Sequence, residues 1–167
     1  SFDDYPSSAG FNECDNYVDY TDDIYVGYRY FETIPGADKS VNYPFGFGLS
    51  YTTFKLDDIN VNEKDGEITV ILKATNTGAI AGKEVVQVYF EAPSGKLGKP
   101  KKQLIAFAKT KLLKPNEVQE VILSFKAEDM ASFDDLGKVQ KSAYILEKGD
   151  YRVHIGTSVR ETAMADF

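Results

Sequence analysis

Residues 67–75, "EITVILKAT", place Ile68, Val70, Leu72 and Ala74 on one side of an extended chain and Thr69, Lys73 and Thr75 on the other. Successive side chains of a β-strand point to opposite faces, so the stretch reads as a strand with one dry and one wet side. Strands of that kind belong to antiparallel sheets that rest one face on a core. Runs of similar length recur at 54–61, 84–91, 103–109, 118–125, 142–146 and 151–156. Turn formers separate them: Glu63-Lys64-Asp65-Gly66, Asn76-Thr77-Gly78, Ala92-Pro93-Ser94-Gly95, Lys114-Pro115-Asn116 and Glu147-Lys148-Gly149-Asp150.

Seven short strands within about 105 residues predict an all-β fold, an antiparallel β-sandwich of the immunoglobulin or fibronectin type III-like kind. A single helical turn is expected within 128–133. Upstream of Phe54 the composition changes, since 14 of the 22 aromatic residues lie in residues 1–54. That part follows neither a 3.6 nor a 2.0 period, and Pro6, Gly10, Pro35-Gly36 and Pro44 punctuate it. It reads as an extended, aromatic-rich N-terminal arm lying across another surface. The expected organisation is arm 1–53, sandwich 54–161 and tail 162–167.

The end of the arm, "YPFGFGLSYTTF" at 43–54, packs five rings, two glycines and no charge into twelve positions. It is not a phosphate-cradling G-x-G-x-x-G loop, because Tyr51 occupies the third glycine position and a strand, not a helix, follows. The formal net charge of −7 also sits at the start: residues 1–32 carry eight acids and only Arg29, residues 33–167 carry 18 acids and 18 bases. Nucleic acid and anionic membrane both require a basic face, so neither is expected as a partner. The single cysteine, Cys14, permits no internal disulfide, and with His154 as the one histidine there is no zinc ligand set; no metal and no other cofactor is expected. There is no leader and no run of 18 apolar residues; the chain reads as cut from something longer, with cytoplasmic and secreted settings both open.

Paired carboxylates recur at Asp3-Asp4, Asp22-Asp23, Asp57-Asp58 and Asp134-Asp135. Neighbouring acids on a strand point apart, so none forms a glycosidase dyad by itself, and all read as solvated turn residues. Asp19, Thr21, Asp22 and Asp23 lack the central glycine and closing glutamate of a calcium loop. His154 falls opposite Tyr151, Val153 and Ile155 and reads as a surface strand residue. Seven lysines in 94–114, with no acid between them, read as the defence of an edge strand against unwanted pairing. Rings and acids in the arm would suit a sugar platform, but tryptophan is absent, and packing against a second domain is the favoured reading.

"DYTDDIYVGYRYFET" (19–33) followed by "YPFGFGLSYTTF" resembles the junction at which the α/β sandwich domain of glycoside hydrolase family 3 enzymes hands over to a fibronectin type III-like domain. The likeness continues in "ATNTGAIAGKEVVQVYFEAP" (74–93), "KPKKQLIAFAKTKLLKPNE" (99–117), "DMASFD" (129–134) and "KGDYRVHIGTSVRE" (148–161). Phe47 stands where a tyrosine is common and Asn116 where the usual turn has glycine.

The resemblance implies a parent enzyme of the retaining β-glucosidase type, acting on β-linked oligosaccharides through a covalent glycosyl-enzyme intermediate. It also implies that the catalytic carboxylates belong to a barrel domain and an α/β sandwich domain, and no position here corresponds to either. The chain itself is expected to be an accessory module that hydrolyses no aryl β-glycoside and braces those two domains. The residues assigned to that seam are Gly27, Tyr28, Arg29, Tyr30, Phe45, Gly46, Gly48, Tyr51 and Phe54. Within it, Gly46 and Gly48 are expected to adopt backbone conformations closed to a side chain, Leu49 to help seal the junction, and Arg29 to stack between Tyr28 and Tyr30 or pair with an acid. The rival readings are a free carbohydrate-binding module and a protein-interaction module.

Overall fold

The computed structural model describes residues 1–11 and 16–165; Cys14 and the end of the expected tail, Asp166 and Phe167, lie outside the described residues. Its strands are β1 (Phe54–Lys64), β2 (Glu67–Asn76), β3 (Val85–Glu91), β4 (Gln103–Lys109), β5 (Val118–Lys126), β6 (Ser132–Asp134), β7 (Ala143–Ile145), β8 (Arg152–Gly156) and β9 (Thr162–Ala165). One sheet has the order β1-β2-β5, a second the order β4-β3-β8-β9, and β6 and β7 form a separate hairpin. All pairings are antiparallel.

The alternation in β2 becomes the inner face of the sandwich. Ile68, Val70, Leu72 and Ala74 are fully buried, and register places Val70 opposite Leu123 and Leu72 opposite Val121 on β5. Val86, Val88 and Phe90 of β3 and Val153 and Ile155 of β8 complete the core from the other sheet. Each such side chain contributes about 1.5–3 kcal/mol by leaving water. β1 carries a bulge between Asp57 and Asn60, with Asp58 at φ +51°. Asp57 and Asp58 are surface acids there, paired with Lys55 and Lys73 at 2.9 and 2.8 Å. Asn116, the departure from glycine, sits at φ +62°, a left-handed conformation that asparagine tolerates best after glycine.

Several expectations need correction. Thr162–Ala165 is not tail but the edge strand β9, pairing His154 with Met164; four residues are too few for an alternating pattern to register. The arm is not extended throughout: it holds 3-10 turns at Phe2–Asp4 and Ala37–Ser40 and a short helix, α1 (Tyr28–Thr33). Fewer than two helical turns are too short for a 3.6 period to register. The helical turn expected within 128–133 is a 3-10 turn at Ala127–Met130, followed by the short β6.

Asp134 is no solvated turn acid. It is buried, and its carboxylate accepts the backbone N–H groups of Gly137, Lys138, Val139 and Gln140 at 2.7–3.0 Å, which fixes the β6–β7 loop. Burial pushes its pKa up, but the four donors outweigh this and hold it below the usual carboxylate range. The lysine run likewise serves two ends. β4 is an edge strand, yet Lys99 is buried against Glu147 at 2.6 Å, and the Lys102 ammonium donates to the Val159 carbonyl and the Thr162 hydroxyl.

Candidate functional site

β3 is buried on both faces from Val86 to Phe90, although only one face meets the sandwich core. A strand covered on both sides reads as a near-continuous apolar run, as "VVQVYF" does. The second cover is the arm. Tyr89, fully buried, stands edge-on to Tyr28 with ring centroids 6.4 Å apart, and Tyr28 in turn stacks on Phe45 at 4.2 Å. The Tyr89 hydroxyl donates to Gln87 Oε1, and burial raises its pKa above the ordinary phenol value.

Polar contacts register the arm on this sheet. The N–H of Leu104 donates to Tyr28 Oη at 2.9 Å, and the N–H of Val159 to the Phe45 carbonyl at 2.9 Å. Gln87 Nε2 donates to the carbonyls of Gly46 (3.2 Å) and Thr157 (2.5 Å). From α1, Thr33 Oγ1 accepts the Lys101 N–H at 2.9 Å, and the two carboxylate oxygens of Glu32 share the Arg160 Nε–H at 2.8 and 3.1 Å. Where the arm enters β1, Thr52 donates its hydroxyl to Asn76 Oδ1 at 2.7 Å. Asn76 is fully buried and also accepts the Gly78 N–H while donating to the carbonyls of Ile80 and Leu113.

The nine residues assigned from sequence thus separate. Tyr28, Phe45 and Gly46 meet on the outer face of β3, and Gly27 (φ +59°) caps the start of α1. Tyr30 is half-buried with its ring edge-on to Phe31, and Phe54 is half-buried at the start of β1. Gly46, at φ +82°, is a position where a Cβ would collide with Gln87 Oε1. Gly48 does not share this role: it is outside the left-handed region and open space surrounds it. Arg29 is half-buried and, among the described residues, makes no ion pair; Glu32–Arg160 ties the arm instead. That pair spans 128 positions and left no trace in the sequence, whereas Gln87, polar inside an apolar run, was a usable signal.

Tyr51 and Leu49 point away from the sandwich. Tyr43, Phe45, Phe47, Leu49 and Tyr51, every second residue, are 42–95% exposed, while Pro44, Gly46, Gly48, Ser50 and Thr52 fall between them. The result is an uncharged apolar ridge along 43–51, with Tyr43 stacked on Phe47 at 4.9 Å.

His154 is not a surface residue, since its side chain is 11% exposed and lies 3.3 Å from Glu91, with Lys102 and Arg152 also facing it. Burial and then the charge of Lys102 lower its pKa below 6.5, against the pull of Glu91. The folded state therefore favours the neutral ring, and the unfolded chain binds the proton more tightly. Stability is full above about pH 6.5 and falls as pH drops from there through the folded-state pKa. Urea unfolding on either side of that window should show a larger acid loss for the native chain than for His154→Gln.

A family model for the fibronectin type III-like domain matches residues 84–159. β-Glucosidase A of Butyrivibrio fibrisolvens is 56% identical over 179 residues, an alignment covering 98% of this chain and 22% of that protein. The crystal structure of a β-glucosidase from Paenibacillus barengoltzii superposes with a TM-score of 0.91 at 46% identity, over 100% of this chain and 18% of that one. β-Glucosidase 3B from Thermotoga neapolitana, determined with glucose, gives 0.86 at 42% identity, over 100% of this chain and 23% of that one. The two-sheet fold and these matches define a fibronectin type III-like domain with the stretch that leads into it. The relatives and structural neighbours that the chain matches are family 3 β-glucosidases, and it is similar to one segment of them, spanning 22% of the B. fibrisolvens protein.

Proposed function

We propose that the chain is the non-catalytic accessory module of a family 3 β-glucosidase-type hydrolase, and that it braces the barrel and α/β sandwich domains of the same polypeptide. The observation that carries this reading is the ridge at 43–51. The carbonyls of Gly46 and Phe45 accept from Gln87 Nε2 and the Val159 N–H, and Phe45 packs on Tyr28, while Phe47, Leu49 and Tyr51 face outward. A contiguous exposed apolar surface of this kind marks an interaction site. The acids Glu32, Asp58, Asp134 and Glu147 are each engaged in structural contacts within the module, which supports a bracing role over a chemical one.

Charge placed on the ridge tests the reading. Leu49→Asp with Tyr51→Asp should leave the melting of the isolated chain within about 0.5 kcal/mol of native, because both side chains are more than nine-tenths exposed. In the full-length protein the same pair should cost about 3 kcal/mol, since unpaired charges would be buried at the seam. Unchanged melting of the full-length protein would show that nothing packs on the ridge.

A further inference from the structure

Where the ridge begins, at Tyr43 and Phe45, the arm encloses a cleft of about 420 Å³ between its first turn, α1 and residues 40–45. This volume lies within the ~300–1,000 Å³ usual for small-ligand sites. Tyr5, Tyr28, Phe31, Tyr43 and Phe45 line it, so five rings converge on one concavity. Phe31 is buried and fixed edge-on by Tyr5 at 5.4 Å, which gives a floor, while Tyr43, the most exposed of the five, stands at the rim. Polar groups interrupt the rings on the same walls. The Glu32 carboxylate is held by Arg160 with acceptor capacity to spare, and the Asn42 amide is exposed and, among the described residues, makes no hydrogen bond.

We propose that this cleft binds a pyranose sugar, one or two rings in size. Ring faces give the apolar side of a pyranose its stacking surface, and a fixed carboxylate and an amide supply the acceptors and donors that hydroxyl groups require. The choice of sugar rests on the reading of the parent as a β-glucosidase-type enzyme; the location rests on the cleft alone. The occupant is a sugar held non-covalently by the rings and polar groups of this chain.

Backbone amide NMR of the isotope-labelled chain, titrated with cellobiose and, separately, with the open-chain polyol sorbitol, tests the proposal. Cellobiose should shift the amides of Glu32, Asn42 and Tyr43 together and saturably, and sorbitol, which has hydroxyls but no ring face, should not. Tyr43→Ala should weaken cellobiose binding roughly tenfold and Tyr43→Phe should retain it, because the ring and not its hydroxyl makes the stack. Equal response to sorbitol, no response at these residues, or native affinity in Tyr43→Ala would each overturn it. None of those results touches the bracing role, which the charged-ridge variants test by melting alone.

Discussion

Gly46→Ala is expected to destabilise the chain by about 2–4 kcal/mol, through backbone strain combined with overpacking, while Gly48→Ala stays within about 0.5 kcal/mol of native. At φ +82° a side chain is strained before any contact is counted. The added methyl would then run into the Gln87 side-chain amide, overlapping Oε1 and lying only 2.7 Å from Nε2. Gln87 has no room to yield, for it is buried, donates to two carbonyls and accepts the Tyr89 hydroxyl. Displacing it loosens the arm and the strand beneath it at once. Gly48, two positions on, has open space where its Cβ would go. Equilibrium unfolding of the two variants side by side checks the difference; equal stabilities would mean that Gly46 does not seat the arm.

Asn76→Ala should cost about 4 kcal/mol, because it leaves several buried hydrogen-bonding groups without partners. The side chain is completely buried and uses both ends: Oδ1 takes the Thr52 hydroxyl and the Gly78 N–H, and Nδ2 serves the carbonyls of Ile80 and Leu113. It thereby joins the end of the arm, the β2–β3 turn and the loop before β5. Thr77→Ala, one position on, removes an exposed hydroxyl contact with Thr53 and serves as the control, with an expected change below about 0.5 kcal/mol. If denaturant midpoints of the two variants coincide, the asparagine is an ordinary turn former and not the joint between these segments.

Much of this architecture was legible because strand alternation is a local signal. Ile68, Val70, Leu72 and Ala74 declare the inner face of β2 by spacing alone, and the turn formers fix where strands stop. What escaped was set by distant partners or by elements too short to repeat. Thr162–Ala165 becomes a strand because β8 offers it a free edge, not because its own side chains alternate in hydropathy. Asp134 looked like one more turn acid; only the loop that curls its N–H groups around the carboxylate makes it a buried one. The seam residues divide in the same way. Tyr28, Phe45 and Gly46 lie in motifs whose rings and glycines signal packing, but Tyr89, Glu32 and Arg160 acquire their roles from contacts no local pattern encodes. Gly46 and Gly48 look alike in sequence and differ only in what lies next to them.

Hydrogen exchange, compared between the isolated chain and a full-length family 3 protein containing it, tests the central claim most directly. The amides of Leu104 and Val159 donate to the arm, so in the isolated chain they should already exchange slowly. Over residues 48–51, which are exposed and whose amides, unlike that of Phe47, are not tied into the turn at Pro44, exchange should be fast in the isolated chain and slow in the full-length protein, as the ridge becomes covered. Fast exchange at 48–51 in both would contradict the account, because a ridge that stays open in the whole protein braces nothing.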